Sequence, residues 1–196
     1  LDELTWIDAL DESPTGYEMM VCDFTADALD WCLREARFWR TKKMSSGVRE
    51  RKQSTHQDGF KIQYMGVKAE FGLHLACGLT MKSQNRYSKR GDDGFDMRIG
   101  NLDYSSKYIS YRWGHIYQLD EKELQTDWGV LAVPGFDIDP HYTDLPRSVV
   151  LVACVDTDTW ANNYEQMEFN PRDWGVRQVN MRPLRELPNI SFLPED

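Results

Sequence analysis

The spacing of apolar residues changes along the chain, and each change predicts an element. From Thr25 to Lys42 the residues Ala28, Trp31, Cys32, Ala36 and Trp39 recur at helical spacing. They predict an amphipathic helix, with Thr25 as its N-cap and Arg34, Arg37 and Lys42 off the apolar stripe. The polar, Ser- and Gly-containing stretch "MSSGVRERKQSTHQDG" predicts a loop. A second helix is expected from Met65 to Cys77, through "GVKAEFGLHLACG", with Gly78 as its C-cap. Residues 82–94 read as a loop. Short strands are expected at 95–99 and 102–110 around the tight turn Gly100-Asn101, with a third at 114–119. The continuous apolar runs "DWGVLAVPGF" (127–136) and "SVVLVACVD" (148–156) predict neighbouring strands buried on both faces. A Pro- and Asp-rich connection, 137–146, lies between them. "WANNYEQMEFNPRDWG" reads as irregular, and "VRQVNMRPLREL" closes the fold. The order of elements predicts an α+β or mixed α/β domain built on one sheet.

The length of 196 residues suits one domain, 1–196, with no internal repeat. Charge divides it further. Residues 1–33 hold nine acids and no Lys or Arg, whereas 34–52 hold eight basic residues against two acids. The expected organisation is an acidic leader (1–23), a basic helix and loop (24–53) and a core (60–187). Clustered cations attract phosphate, so the basic block is compatible with nucleic acid, whereas the net charge of −9 opposes strong non-specific binding. The block equally reads as a complement to the acidic leader. No apolar run approaches the ~18 residues of a membrane span, and the acidic start is unlike a secretory signal. Cys22, Cys32, Cys77 and Cys154 form no CxxC pair and read as buried thiols of a cytoplasmic protein.

The residues with candidate chemistry are Glu70 on the second helix, Asp96 at the start of a strand and Lys107 on the next. Carboxylates can hold Mg²⁺, which polarises a phosphate and acidifies water, and a lysine can orient that water or offset developing charge. Strand alternation sets Asp103, Ser105 and Lys107 on one face and Tyr104, Ser106 and Tyr108 on the other. Each residue also has a plain structural role: a solvated glutamate, a turn-capping aspartate in "DDG…D", an edge-strand lysine. Glu70, His74 and Cys77 share a helical face that can ligate Zn²⁺, but no second cluster supplies further ligands. The tryptophans read as core or interface.

The succession "GVKAEFGLHLACG", "DDGFDMRIG", "DYSSKYISYRWGH" and "TDWGVLAV" resembles the PD-(D/E)xK nuclease superfamily, and most of all its small phage-encoded members. The resemblance covers roughly residues 30–187. It implies an α/β (α+β) restriction-endonuclease-like fold, a central mixed sheet flanked by helices, and a DNA endonuclease that uses Mg²⁺, with Mn²⁺ as a substitute, in the host cell cytoplasm. It implies Glu70 and Asp96 as metal ligands and Lys107 as the catalytic lysine. Arg34, Arg37, Arg40, Lys42 and Lys43 would meet phosphates, and His115 of "YRWGH" would lie near substrate.

Ser105 departs from the pattern, which has Asp or Glu there. A neutral hydroxyl is a poor Mg²⁺ ligand. Asp103, on the same face two residues earlier, can serve instead, or Glu70 and Asp96 can suffice with water. Alternatively the site no longer cuts, or Ser105 was introduced into a natural acid position. The rival expectation is a non-catalytic protein of the same fold that binds nucleic acid, or binds a host protein through the acidic leader.

Overall fold

The structure is a computed structural model that describes residues 2–10, 13–45, 58–80, 96–111, 116–118, 126–167 and 170–191. The chain opens with an antiparallel hairpin, β1 (Glu3–Ile7) and β2 (Met19–Asp23), inside the acidic leader. Helix α1 (Ala26–Ser45) begins where expected. The Thr25 hydroxyl accepts from the Ala28 N–H at 3.3 Å, while Asp2 accepts from both the N–H and the hydroxyl of Thr25 at 2.9 Å. The first strand and the first helix are thereby tied at one residue. Asp27 in the first turn and Lys42 and Lys43 in the last complement the helix dipole.

Helix α2 (Gly59–Ala76) starts six residues before Met65, because Asp58 caps it by accepting from the Phe60 N–H at 2.8 Å. It ends as the sequence predicts. Gly78 adopts φ +68, and the Leu79 and Gly78 N–H groups return to the carbonyls of His74 and Leu75 at 2.9 Å.

Strands β3 (Met97–Ile99) and β4 (Leu102–Tyr108) form the expected hairpin, with Gly100 at φ +62 in its turn. β5 (Ile116–Gln118), β6 (Trp128–Pro134) and β7 (Val149–Asp156) follow. The expectation of irregular chain after Trp160 is overturned. Helix α3 (Thr157–Asn163) is followed by β8 (Glu165–Met167) and β9 (Asn170–Val176), which with β5 make a small second sheet in the order β5-β9-β8, where the order of elements predicts a single sheet. Asp156 starts α3 by accepting from the Thr159 N–H at 2.7 Å, and Trp160 buries its ring. These elements are too short for a periodic pattern to announce them. β10 (Arg182–Pro183) ends the series against β7. The expected loop at 82–94 lies outside the described residues.

The main sheet runs β1-β2-β7-β6-β4-β3, with β10 also on β7. β4 and β6 are parallel and the other pairs antiparallel, so the sheet is mixed. β6 and β7 are neighbours with their interiors fully buried, as their apolar runs predict. Alternate residues feed two cores. Met20, Cys22, Tyr104, Val130, Ala132, Val149 and Leu151 meet α1 and α2 on one face, while Met19, Leu131, Val133, Val150, Val152 and Val155 pack with Trp160 and Met181 on the other. Two glycines permit close approach. A Cβ on Gly72 would lie 3.0 Å from the Cys22 sulfur, and one on Gly135 would lie 2.7 Å from the Ser148 carbonyl. All four cysteines are buried and free. Burial pushes the Cys77 and Cys154 thiols up to about 12. Among the described residues no helix is long and apolar enough to cross a membrane.

The 137–146 connection is bound to α2 by a buried ion pair. Lys68 and Asp139 are both fully enclosed, with Nζ 2.5 Å from Oδ2. Lys68 also donates to the Pro146 carbonyl at 2.6 Å. Asp139 accepts further from the Tyr64 hydroxyl at 2.9 Å and the His141 N–H at 2.8 Å. Burial lowers the Lys68 pKa, and Asp139 opposes that effect. Removing one charge strands the other in the interior. Lys68→Met or Asp139→Leu alone is expected to cost about 3–5 kcal/mol, while the double apolar variant recovers most of the loss. Urea unfolding of the three variants measures this; equal single and double losses would show that the pair is not the anchor.

Candidate functional site

Asp96 lies one residue before β3 and extends its ladder, donating its N–H to the Tyr104 carbonyl at 2.7 Å. Its carboxylate turns to the middle of β4. Oδ2 accepts from the Ser106 N–H at 2.6 Å, from the Ser106 hydroxyl at 3.2 Å and from the Ser105 hydroxyl at 3.4 Å. Ser105, where the resemblance has an acid, therefore faces Asp96.

Glu70 approaches from α2. Its carboxyl is held well above the usual carboxylate range, by burial first and by the charge of Asp96 second. Glu35 on α1 pushes in the same direction, and Lys43 and Lys107 oppose it. Two acids and two lysines, from α1, β4 and the entry to β3, thus act on this one carboxyl of α2. Lys107 has the smallest of these effects, and the β4–β6 register suggests why. Ser105 and Lys107 lie beside Gly129 and Leu131, on the sheet face opposite Tyr104, Tyr108 and the two long helices.

Glu35 escaped the sequence reading. It accepts from the Trp39 indole N–H at 2.7 Å. Its signal is a carboxylate at an inward helical position, in step with Ala28, Cys32 and Trp39. Lys68 carries a similar signal among Tyr64, Met65, Phe71 and Gly72 on α2.

Asp103 is engaged elsewhere. Arg98, its partner across the hairpin, donates Nε to Oδ1 at 2.5 Å and Nη2 to Oδ2 at 2.7 Å. The Asp103 N–H meanwhile donates to Asp127 at 2.8 Å. Among the described residues no three His, Cys, Asp or Glu side chains form a group able to hold a metal ion. This applies to Glu70, His74 and Cys77 as well. His74 is buried, with Nδ1 2.8 Å from the Glu70 carbonyl.

The basic residues of α1 divide. Arg34, Arg37 and Lys42 are exposed. Arg40 approaches Asp58 at 3.7 Å and the Phe60 ring at 5.8 Å, and Lys43 donates to Gln63 of α2 at 2.9 Å. Acids of the leader bond elsewhere: Glu18 with Arg185, and Asp23 with Arg147. His115 lies outside the described residues.

Electrostatics at Glu70 yield a signed expectation. A carboxyl whose folded pKa is raised holds its proton better when folded, so stability falls as pH rises from the ordinary value of about 4.3 through the folded pKa. Glu70→Gln removes that loss. It is expected to be more stable than the parent at neutral pH, with the difference shrinking on acidification. Asp96→Asn should lower the Glu70 pKa in a carbon-13 side-chain titration. An unmoved Glu70 signal would separate the two carboxyls.

No protein-family model, curated protein or solved structure matches the chain.

Proposed function

We propose that the chain is a phage- or prophage-type DNA endonuclease of the PD-(D/E)xK kind with a reduced metal site. The observation that supports this is the Glu70 carboxyl on α2, whose proton is favoured by burial and by the charge of Asp96 and opposed by Lys43 and, least of all, by Lys107. Such an arrangement costs stability and is characteristic of sites kept for chemistry. The donor set suits Mg²⁺, which is commonly held by one or two carboxylates with water and substrate phosphate completing its shell. Glu70 and Asp96 would hold the ion, with Mn²⁺ as a substitute. When bound, it supplies polarisation of the phosphate and a more acidic water. Lys107 would orient the nucleophile or offset charge on the phosphate. The exposed cations of α1 would meet the DNA backbone. The clamp from Arg98 makes Asp103 the weaker candidate for a third ligand.

A second reading, a non-catalytic protein that binds nucleic acid or a host protein, draws on different observations. Ser105 contributes a hydroxyl where a carboxylate would complete the site, and it donates to Asp96. The β4–β6 register also sets Lys107 on the face away from α2.

Cleavage of plasmid and single-stranded DNA with Mg²⁺ or Mn²⁺ decides between the readings. Glu70→Gln, Asp96→Asn and Lys107→Ala are each expected to lower the rate by about 100-fold or more. Ser105→Asp should raise Mg²⁺ affinity, and Asp103→Asn should leave cleavage intact. No cleavage by the parent or by Ser105→Asp would leave only the binding protein.

A further inference from the structure

The outward face of α1 carries an aromatic ring between cations. Arg34, Phe38 and Lys42 follow one another at four-residue intervals, which stack them along one side of the helix about 6 Å apart. Arg37 and Thr41 flank this line, and all five residues are exposed. Phe38 is 50% exposed, a large apolar surface to leave in water on a helix whose inner stripe is well packed. The ring is supported from beneath. The buried Trp39 meets it edge-on at 5.4 Å and 77°, and Lys42 Nζ lies 5.4 Å from its centroid. Among the described residues no acid pairs with Arg34, Arg37 or Lys42. Two acids of the leader, which the charge distribution suggests as their complement, pair elsewhere: Glu18 with Arg185 and Asp23 with Arg147.

We propose that this face of α1 docks single-stranded nucleic acid, with an unpaired base stacked on Phe38 and the adjoining phosphates met by Arg34, Arg37 and Lys42. The inference deepens the proposed function and rests on its nucleic-acid reading. Charge complementarity selects a polyanion, and the ring selects which one. In a duplex the base faces are covered by their neighbours, so an exposed phenyl ring gains nothing from them. In a single strand every base offers a face, and a cationic groove with aromatic platforms is how such strands are held without sequence preference. A turn-by-turn alternation of cation, ring and cation matches a strand that alternates phosphate and base.

The test measures fluorescence anisotropy of the full chain, in EDTA so that no cleavage intervenes. The probes are a labelled oligo-thymidine of about 20 nucleotides and a duplex of about the same length, both longer than a typical single-strand site. The expected result is tighter binding of oligo-thymidine. Phe38→Ala should weaken it roughly tenfold or more, and Phe38→Trp should retain it. Replacing Arg34, Arg37 and Lys42 with Gln should flatten the slope of log affinity against log salt by about two. Thermal melting confirms that each exposed-site variant is folded.

Equal affinity for duplex and single strand, or indifference to Phe38→Ala in folded protein, would overturn the proposal. So would binding to polyglutamate or to phosphatidylserine vesicles with the same dependence on Phe38 and no binding to oligo-thymidine. A chain that binds oligo-thymidine through Phe38 but cuts nothing with Mg²⁺ supports this surface and removes only the enzymatic reading. A chain that cuts DNA without any dependence on Phe38 does the reverse.

Discussion

The buried contact between Lys68 and Asp139 is the constraint on which the placement of the other polar groups depends. A fully enclosed ammonium is tolerable only with a carboxylate and further acceptors around it, and the 137–146 connection supplies both. Meeting that requirement fixes the rotation of α2 about its axis. Glu70 lies two residues further along and therefore faces a different direction, toward α1 and the start of β3. The same rotation brings Gly72 against Cys22 and Val149, where no side chain larger than hydrogen fits without displacement. Lys68 anchors the helix, Gly72 sets its depth, and Glu70 is left as the charged residue aimed at the strands.

Tension at Glu70 is then a product of the fold. Burial and two acids disfavour its ionised form, and the two lysines relieve that only in part. Asp96 is less adaptable, since three donors from Ser105 and Ser106 already occupy one of its oxygens. The two carboxyls are thus unlike in character: one pinned by hydrogen bonds, the other short of favourable partners. Such an unequal pair favours a proton on Glu70 rather than on Asp96.

Long, regular elements were legible in the chain, and short or non-local ones were not. α1 was readable because twenty residues repeat one stripe, and β6 and β7 because both of their faces are buried. The 59–64 turn of α2 was hidden by polar residues before it, although Asp58 is an ordinary N-cap. β1 and β2 were hidden by acids that read as a leader, and α3, β8 and β9 by brevity. At the candidate site, the resemblance pointed to Glu70, Asp96 and Lys107. It held no information about Glu35, whose role depends on how α1 packs, or about Arg98, which engages Asp103 through hairpin register. Lys68 and Asp139 are separated by the whole of β3 to β6, and nothing local in either segment joins them.

The position of β2 has a consequence for the order in which the molecule assembles. β2 lies between β1 and β7, and Arg147 donates to the Phe24 carbonyl across a sequence separation of 123 residues. A nascent chain emerging from the ribosome can form α1 and its contact with α2 early, because these are close in sequence. The β2 edge of the hairpin ahead of them stays unpaired until Val149–Leu151 of β7 have been made. Closing so long a loop is slow, and an uncovered strand edge is a point of misassociation in the interval. Residues 1–33, which include that strand, carry nine acids and no Lys or Arg. Like charge along an open strand edge opposes its pairing with another copy.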